Sequence, residues 1–84
     1  MKTNELYMKI LVSKLAREID EKQLQELFSS YGDVDSCVIV LDKDSGKSKG
    51  FGFVEMPKHT TAKAAIRSLN GKKVAGEKIR VREA

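Results

Sequence analysis

Residues 49–56 read Lys49-Gly50-Phe51-Gly52-Phe53-Val54-Glu55-Met56, and the alternation within them decides the fold. Successive side chains of a strand point to opposite faces of its sheet. One set here, Gly50, Gly52, Val54 and Met56, is small or aliphatic and suits a packed interior. The other set, Lys49, Phe51, Phe53 and Glu55, mixes two rings with two charges. It cannot close into a core, because burial would take Lys49 and Glu55 out of water. The segment therefore reads as a strand of an open sheet, with one face covered and Phe51 and Phe53 standing on the other.

Working backwards, Asp42-Lys43-Asp44-Ser45-Gly46-Lys47-Ser48 is a loop by composition. Val34 to Leu41, with five aliphatics and Cys37, is the strand before it. The connection suits an antiparallel hairpin. By parity Cys37, Ile39 and Leu41 face inward and Val38 and Val40 outward. Further back, Asp20 with Gln23 has capping-box spacing, and Ile19 with Leu24 has that of a hydrophobic staple. Leu24, Leu27, Phe28 and Tyr31 follow the i, i+3, i+4, i+7 stripe of a helix buried on one side. Gly32 reads as its left-handed cap. Met8 to Val12 is a first, branched apolar strand.

Working forwards, Thr60 or Thr61 caps a second helix with the stripe Ala62, Ala65, Ile66, Leu69, ended by Asn70-Gly71. After a turn containing Gly76, Ile79 to Arg82 alternate apolar and basic residues as a last strand. The order is β-α-β-β-α-β. Two helical stripes need one face of one sheet to cover them. This is an α+β fold, a four-stranded antiparallel sheet with both helices on one face.

With 84 residues the chain makes one domain, read as residues 1–84 with a core of about 8–83. A single cysteine, Cys37, excludes an internal disulfide, CxxC redox chemistry and a multi-cysteine zinc site. A single histidine, His59, leaves no His-rich metal cluster, and no metal or cofactor is expected. There is no run of about 18 apolar residues for a membrane span. Met1-Lys2-Thr3-Asn4-Glu5 carries an acid and lacks the apolar core of a secretory signal.

The net charge of +4 conceals an asymmetry. Residues 1–42 carry five Lys+Arg and eight Asp+Glu, whereas residues 43–82 carry eleven and three; Glu83 completes the total. The basic half holds Lys43, Lys47 and Lys49 near the hairpin and Arg80 and Arg82 in the last strand. With Ile79 and Val81 pointing inward, both arginines join Phe51 and Phe53. Exposed rings need a reason in a soluble protein, and rings among cations suit stacked bases and their phosphates. Lys2, Lys22, Lys58, Lys63, Lys72 and Lys73 read as solvated surface.

The octapeptide Lys49–Met56 resembles the signature of the RNA recognition motif, K/R-G-F/Y-G/A-F-V-x-F/Y. Seven of its eight positions agree, and Met56 stands at the final aromatic. The resemblance spans nearly all of the chain and implies a ferredoxin-like βαββαβ sandwich. The family's partner hexapeptide, aliphatic-aromatic-aliphatic-x-Asn-Leu, has two registers here. Leu6-Tyr7-Met8-Lys9-Ile10-Leu11 keeps the aromatic. Ile10-Leu11-Val12-Ser13-Lys14-Leu15 loses it but keeps the usual loop length before Leu27-Phe28, and is preferred. Leu11 then stands where a second ring would stack, and Lys14 where Asn is usual. Tyr7 shares the parity of Leu11 and offers a partial substitute.

The resemblance implies a single-stranded RNA-binding module, with single-stranded DNA as a related ligand and no catalysis. Phe51 and Phe53 stack on bases or sugar, while Lys49, Arg80 and Arg82 hold phosphates or base edges. Lys9, Leu11, Val38, Val40 and Lys47 complete the candidate surface. Backbone groups near Glu83 and Ala84 add base contacts. The apolar cast of Leu11, Val38 and Val40 leaves a protein partner on the same face as the alternative. An enzyme finds little support. No nucleophile–base pair is evident, and the loop Ser13-Lys14-Leu15-Ala16-Arg17 lacks both the glycines of an acyl-phosphate hydrolase and the cysteines of a copper carrier. The free-standing module resembles short bacterial RNA-binding proteins more than an excised domain of a longer eukaryotic chain. That implies a cytoplasmic monomer acting in RNA stability or chaperoning.

Overall fold

Strand β1 (Met8–Ser13) occupies the middle of the sheet in the computed structural model, which describes residues 8–84. It is followed by α1 (Glu21–Ser29), β2 (Ser36–Leu41), β3 (Ser48–Met56), α2 (His59–Leu69) and β6 (Arg80–Glu83). A hairpin of two-residue strands, β4 (Lys73–Val74) and β5 (Glu77–Lys78), is inserted where the sequence reads only as a turn. The main sheet runs β2-β3-β1-β6, antiparallel throughout. The βαββαβ order and its covered face are those expected from the sequence.

Period-two and period-3.6 patterns meet in one core. From the sheet come Met8, Ile10, Val12, Val54, Met56 and Val81, and from the helices Leu24, Phe28, Ala62, Ala65 and Leu69, all at most 3% exposed. Burying these apolar groups together is the main stabilising contribution. The start of α1 follows its sequence signals. The Gln23 backbone N–H donates to Asp20 Oδ1 at 2.8 Å, and the Asp20 N–H donates to Gln23 Oε1 at 3.0 Å. Ile19 and Leu24 are both buried beside this box. Asp20→Ala is expected to remove about 1 kcal/mol of stability. In a domain of this size that lowers the melting temperature by roughly 4–8 °C, measurable by circular dichroism.

Several local expectations give way to tertiary packing. Gly32 has no left-handed φ, and α1 ends at Ser30 in a right-handed conformation. Gly32 is needed for a close approach instead, since a Cβ there would lie 2.7 Å from Thr61 Cβ on α2. Lys58, rather than Thr60 or Thr61, is the N-cap of α2, and no side chain caps the helix. Both threonines are inside the helix, because the turn that brings Ala62 into the core begins at His59; the Thr61 hydroxyl donates back to the Lys58 carbonyl at 3.0 Å.

Leu41 was expected inward but is 57% exposed. The ladder pairs Ile39 with Gly52 and Leu41 with Ser48, so between these pairs β2 has one residue and β3 has three. This bulge breaks the two-residue period and carries Leu41 off the covered face. Gly50 sits in the bulge at φ +87°, a left-handed conformation that glycine adopts without steric cost. Gly52 meets the close-packing expectation, because a Cβ there would run into the Val38 carbonyl oxygen.

Candidate nucleic-acid interface

Cross-strand pairing on the uncovered face assembles the candidate residues into rows. Val38 pairs with Phe53, Phe53 with Leu11, and Leu11 with Arg82, so one row crosses all four strands. In the next row Phe51 pairs with Ser13, and Ser13 with Arg80. On the other side Lys9 pairs with Glu55, whose carboxylate accepts from the Ser36 hydroxyl at 2.5 Å. The neighbours Ile10, Val12, Val54 and Val81 are buried. Leu11, Phe51 and Phe53 are only half-buried, while Lys9, Arg80 and Arg82 are exposed.

The rings meet edge to face, with centroids 6.2 Å apart and planes at 85°. The ammonium of Lys9 lies over the Phe53 ring, 4.8 Å from its centroid. Phe51, Phe53 and Leu11 border an open depression of about 760 Å³ whose rim includes Lys49, Lys14 and Arg17. Leu11 and Ser13 also border a smaller hollow of about 240 Å³ with Arg80 and Arg82. Cations thus flank the two rings on both sides, and such an arrangement can stack planar bases while neutralising the phosphates that link them.

Lys9, Leu11, Val38, Lys49, Phe51, Phe53, Arg80 and Arg82 are brought together here. Two candidates are not. Lys47 shares no hollow with the rings; it borders a groove between the start of α1 and Leu41, and meets Lys49 and Arg17 in a hollow at the hairpin. Val40 lies within the register shift and has no partner in the ladder. Tyr7 lies outside the described residues. The preferred hexapeptide register agrees with the pairing of Leu11 and Phe53. Lys14 takes φ +57°, a conformation that asparagine tolerates better than lysine. The Ala84 N–H donates to the Lys9 carbonyl at 2.9 Å, so this end of the chain continues the β6–β1 pairing.

Arg17 was not among the sequence candidates. It is exposed in the loop between β1 and α1 and borders both the ring depression and the hollow around Lys47, Lys49 and Asp42. Loop residues carry no strand parity, so only its basic character signalled it. The Asp42 carboxyl is held below the usual carboxylate range, first by the backbone N–H groups of Ser45 and Asp44, with a smaller contribution from Arg17.

Among the described residues no three His, Cys, Asp or Glu side chains are grouped to hold a metal ion, and no helix is long and apolar enough to cross a membrane. Cys37 donates its S–H to the Glu21 carbonyl at 3.4 Å. Burial, and then the Glu21 charge, push the thiol up to about 11. The fold therefore favours the protonated thiol. That contribution to stability is fully present below about pH 9 and declines as pH rises towards 11. At pH 8 Cys37 is expected to react with a disulfide reagent far more slowly than an ordinary cysteine, because the thiolate is the nucleophile. Equal rates in the native and urea-unfolded protein would contradict this.

Comparison with known proteins agrees with this geometry. The family model described as RNA recognition motif matches residues 10–80. The solved structure of RNA Binding Protein PG1 is 39% identical, with a TM-score of 0.90 over 92% of this chain and 93% of that one. The Sex-lethal RNA recognition domains 1 and 2 of Drosophila melanogaster are 28% identical, with a TM-score of 0.87. A Sxl-lethal protein/RNA complex is 33% identical, also with a TM-score of 0.87. Each of these two matches covers 92% of this chain but 49% and 47% of the other, so this chain spans about half their length.

Proposed function

The chain belongs to the RNA recognition motif family, and from that premise we propose that it binds single-stranded RNA across the uncovered sheet face, without catalysis. The observation that carries the reading is the row Val38–Phe53–Leu11–Arg82, with Phe51 and Arg80 in the row beside it. The names of RNA Binding Protein PG1 and of the Sxl-lethal protein/RNA complex associate RNA with those proteins, and their likeness extends that ligand to this one. Phe51 and Phe53 stack on bases. Arg80, Arg82 and Lys49 contact phosphates or base edges, with Arg17 extending the path around the edge of the sheet. The role is post-transcriptional regulation or RNA chaperoning by a monomer. A bacterial cytoplasm is the proposed setting, and the free thiol of Cys37 suits a reducing compartment.

The test is titration of short labelled RNA and DNA strands over a series of salt concentrations. Affinity falls with salt, with a log–log slope of about −0.7 for each phosphate neutralised. Arg80→Gln and Arg82→Gln are each expected to make the slope shallower by about 0.7. Wild-type protein that binds no single strand sinks the reading, and unchanged slopes remove the arginines from it.

A second reading, a protein-interaction surface, is favoured by the exposure of Val38, at 50%, beside Leu11 and Phe53. Recovery of a stoichiometric protein partner after nuclease treatment, together with no RNA binding in titration, would support it instead.

A further inference from the structure

The two rings of the sheet face are not equivalent in the free protein. The ammonium of Lys9 lies over the ring of Phe53 at 4.8 Å, whereas among the described residues no cation stands over Phe51. We propose that Lys9 occupies the stacking face of Phe53 until RNA arrives, that a base then takes its place, and that the released ammonium moves to an RNA phosphate. This rests on the RNA-binding reading of the same face.

Placement makes the contact a property of the fold. Lys9 lies opposite Glu55 in the β1–β3 ladder, and Phe53 is two residues away on β3. That diagonal separation is within reach of a long side chain on the same face. The Lys9 backbone is anchored on its other side too, because its carbonyl accepts the Ala84 N–H at 2.9 Å. Leu11 and Val38 flank Phe53 in the ladder, and Phe51 meets it edge to face. A base that stacks on the Phe53 face beneath the ammonium has to displace Lys9.

The exchange has a definite sign. A ring attracts an ammonium through its quadrupole, at an exposed site by a factor of about two to five in the equilibrium. Base stacking on a ring is stronger, so RNA wins the ring face, but against a small opposing contribution. Once displaced, Lys9 is a mobile cation beside a polyanion and adds one neutralised phosphate. One residue therefore opposes binding through the ring and favours it through charge, and only the second effect is screened by salt.

Two measurements test this. In carbon–proton correlation spectra of the free protein, the Lys9 ε-methylene protons are expected upfield of the other lysines, shifted by the Phe53 ring. Phe53→Leu should return them to the ordinary position, and so should saturation of wild-type protein with a short single-stranded RNA. In titrations, Lys9→Gln is expected to have a log–log salt slope shallower by about 0.7. It should bind more weakly than wild type at low salt and about two- to fivefold more tightly at high salt, so that the two lines cross. An ordinary ε-proton position in the free protein overturns the proposal, as does an upfield position that persists in the complex. A Lys9→Gln line parallel to wild type overturns it too. Wild type that binds no RNA overturns the RNA reading and the exchange with it, while the free-protein spectrum still reports the ring contact separately.

Discussion

Replacing Phe51 and Phe53 together with alanine is expected to weaken RNA binding by about 2–6 kcal/mol, because each base–ring stack contributes roughly 1–3 kcal/mol. The loss runs from about thirtyfold to beyond the range of an ordinary titration. Both rings are half-buried on the face opposite the core, and none of the buried core residues is removed. The double variant should therefore fold. Its melting temperature should fall by far less than that of a core truncation, and its circular dichroism should match wild type. Affinity equal to wild type would rule out stacking on these rings. A large loss with the salt slope retained would separate stacking from charge, since the cations of the face are untouched.

The largest expected effect on stability is at Phe28. Its side chain is 0% exposed and heads the fully buried side chains by volume. Phe28→Ala removes the transfer free energy of the ring and leaves a cavity that neighbouring backbone can fill only partly, a cost of about 3–5 kcal/mol. A domain of this length lies towards the lower end of the roughly 5–15 kcal/mol by which native proteins are stable. The variant should be substantially unfolded at moderate temperature. Urea denaturation measures the effect as a lower midpoint with a similar slope. A loss below about 1 kcal/mol would mean that α1 is not docked through this ring.

The two expected results mark the two faces of the sheet, and the sequence separates those faces unevenly. Within β3 the alternation of Val54 and Met56 against Phe53 and Glu55 is local, and it survives in the fold. The same holds for Ile10 and Val12 against Leu11, and for Ile79 and Val81 against Arg80 and Arg82. The capping box at Asp20 was legible because donor and acceptor are three residues apart. Leu41 was misread because a bulge on the neighbouring strand has no signature within β2 itself. Gly32 was misread because its reason lies in Thr61, on the other helix.

The sequence by itself determined the order of elements, the two helical stripes, the covered and uncovered parities of three strands, and the octapeptide that marks the family. Each of these follows from periodicity or spacing along one stretch of backbone. Tertiary structure decided the rest: the alignment of Val38, Phe53, Leu11 and Arg82 in one row, the place of Lys47 in hollows that the rings do not share, the entry of Arg17 beside the row, and the seat of Lys9 over Phe53. Those depend on register between strands and on where loops return. Register is set by the packing of the whole sheet against its helices, so no single segment could contain it.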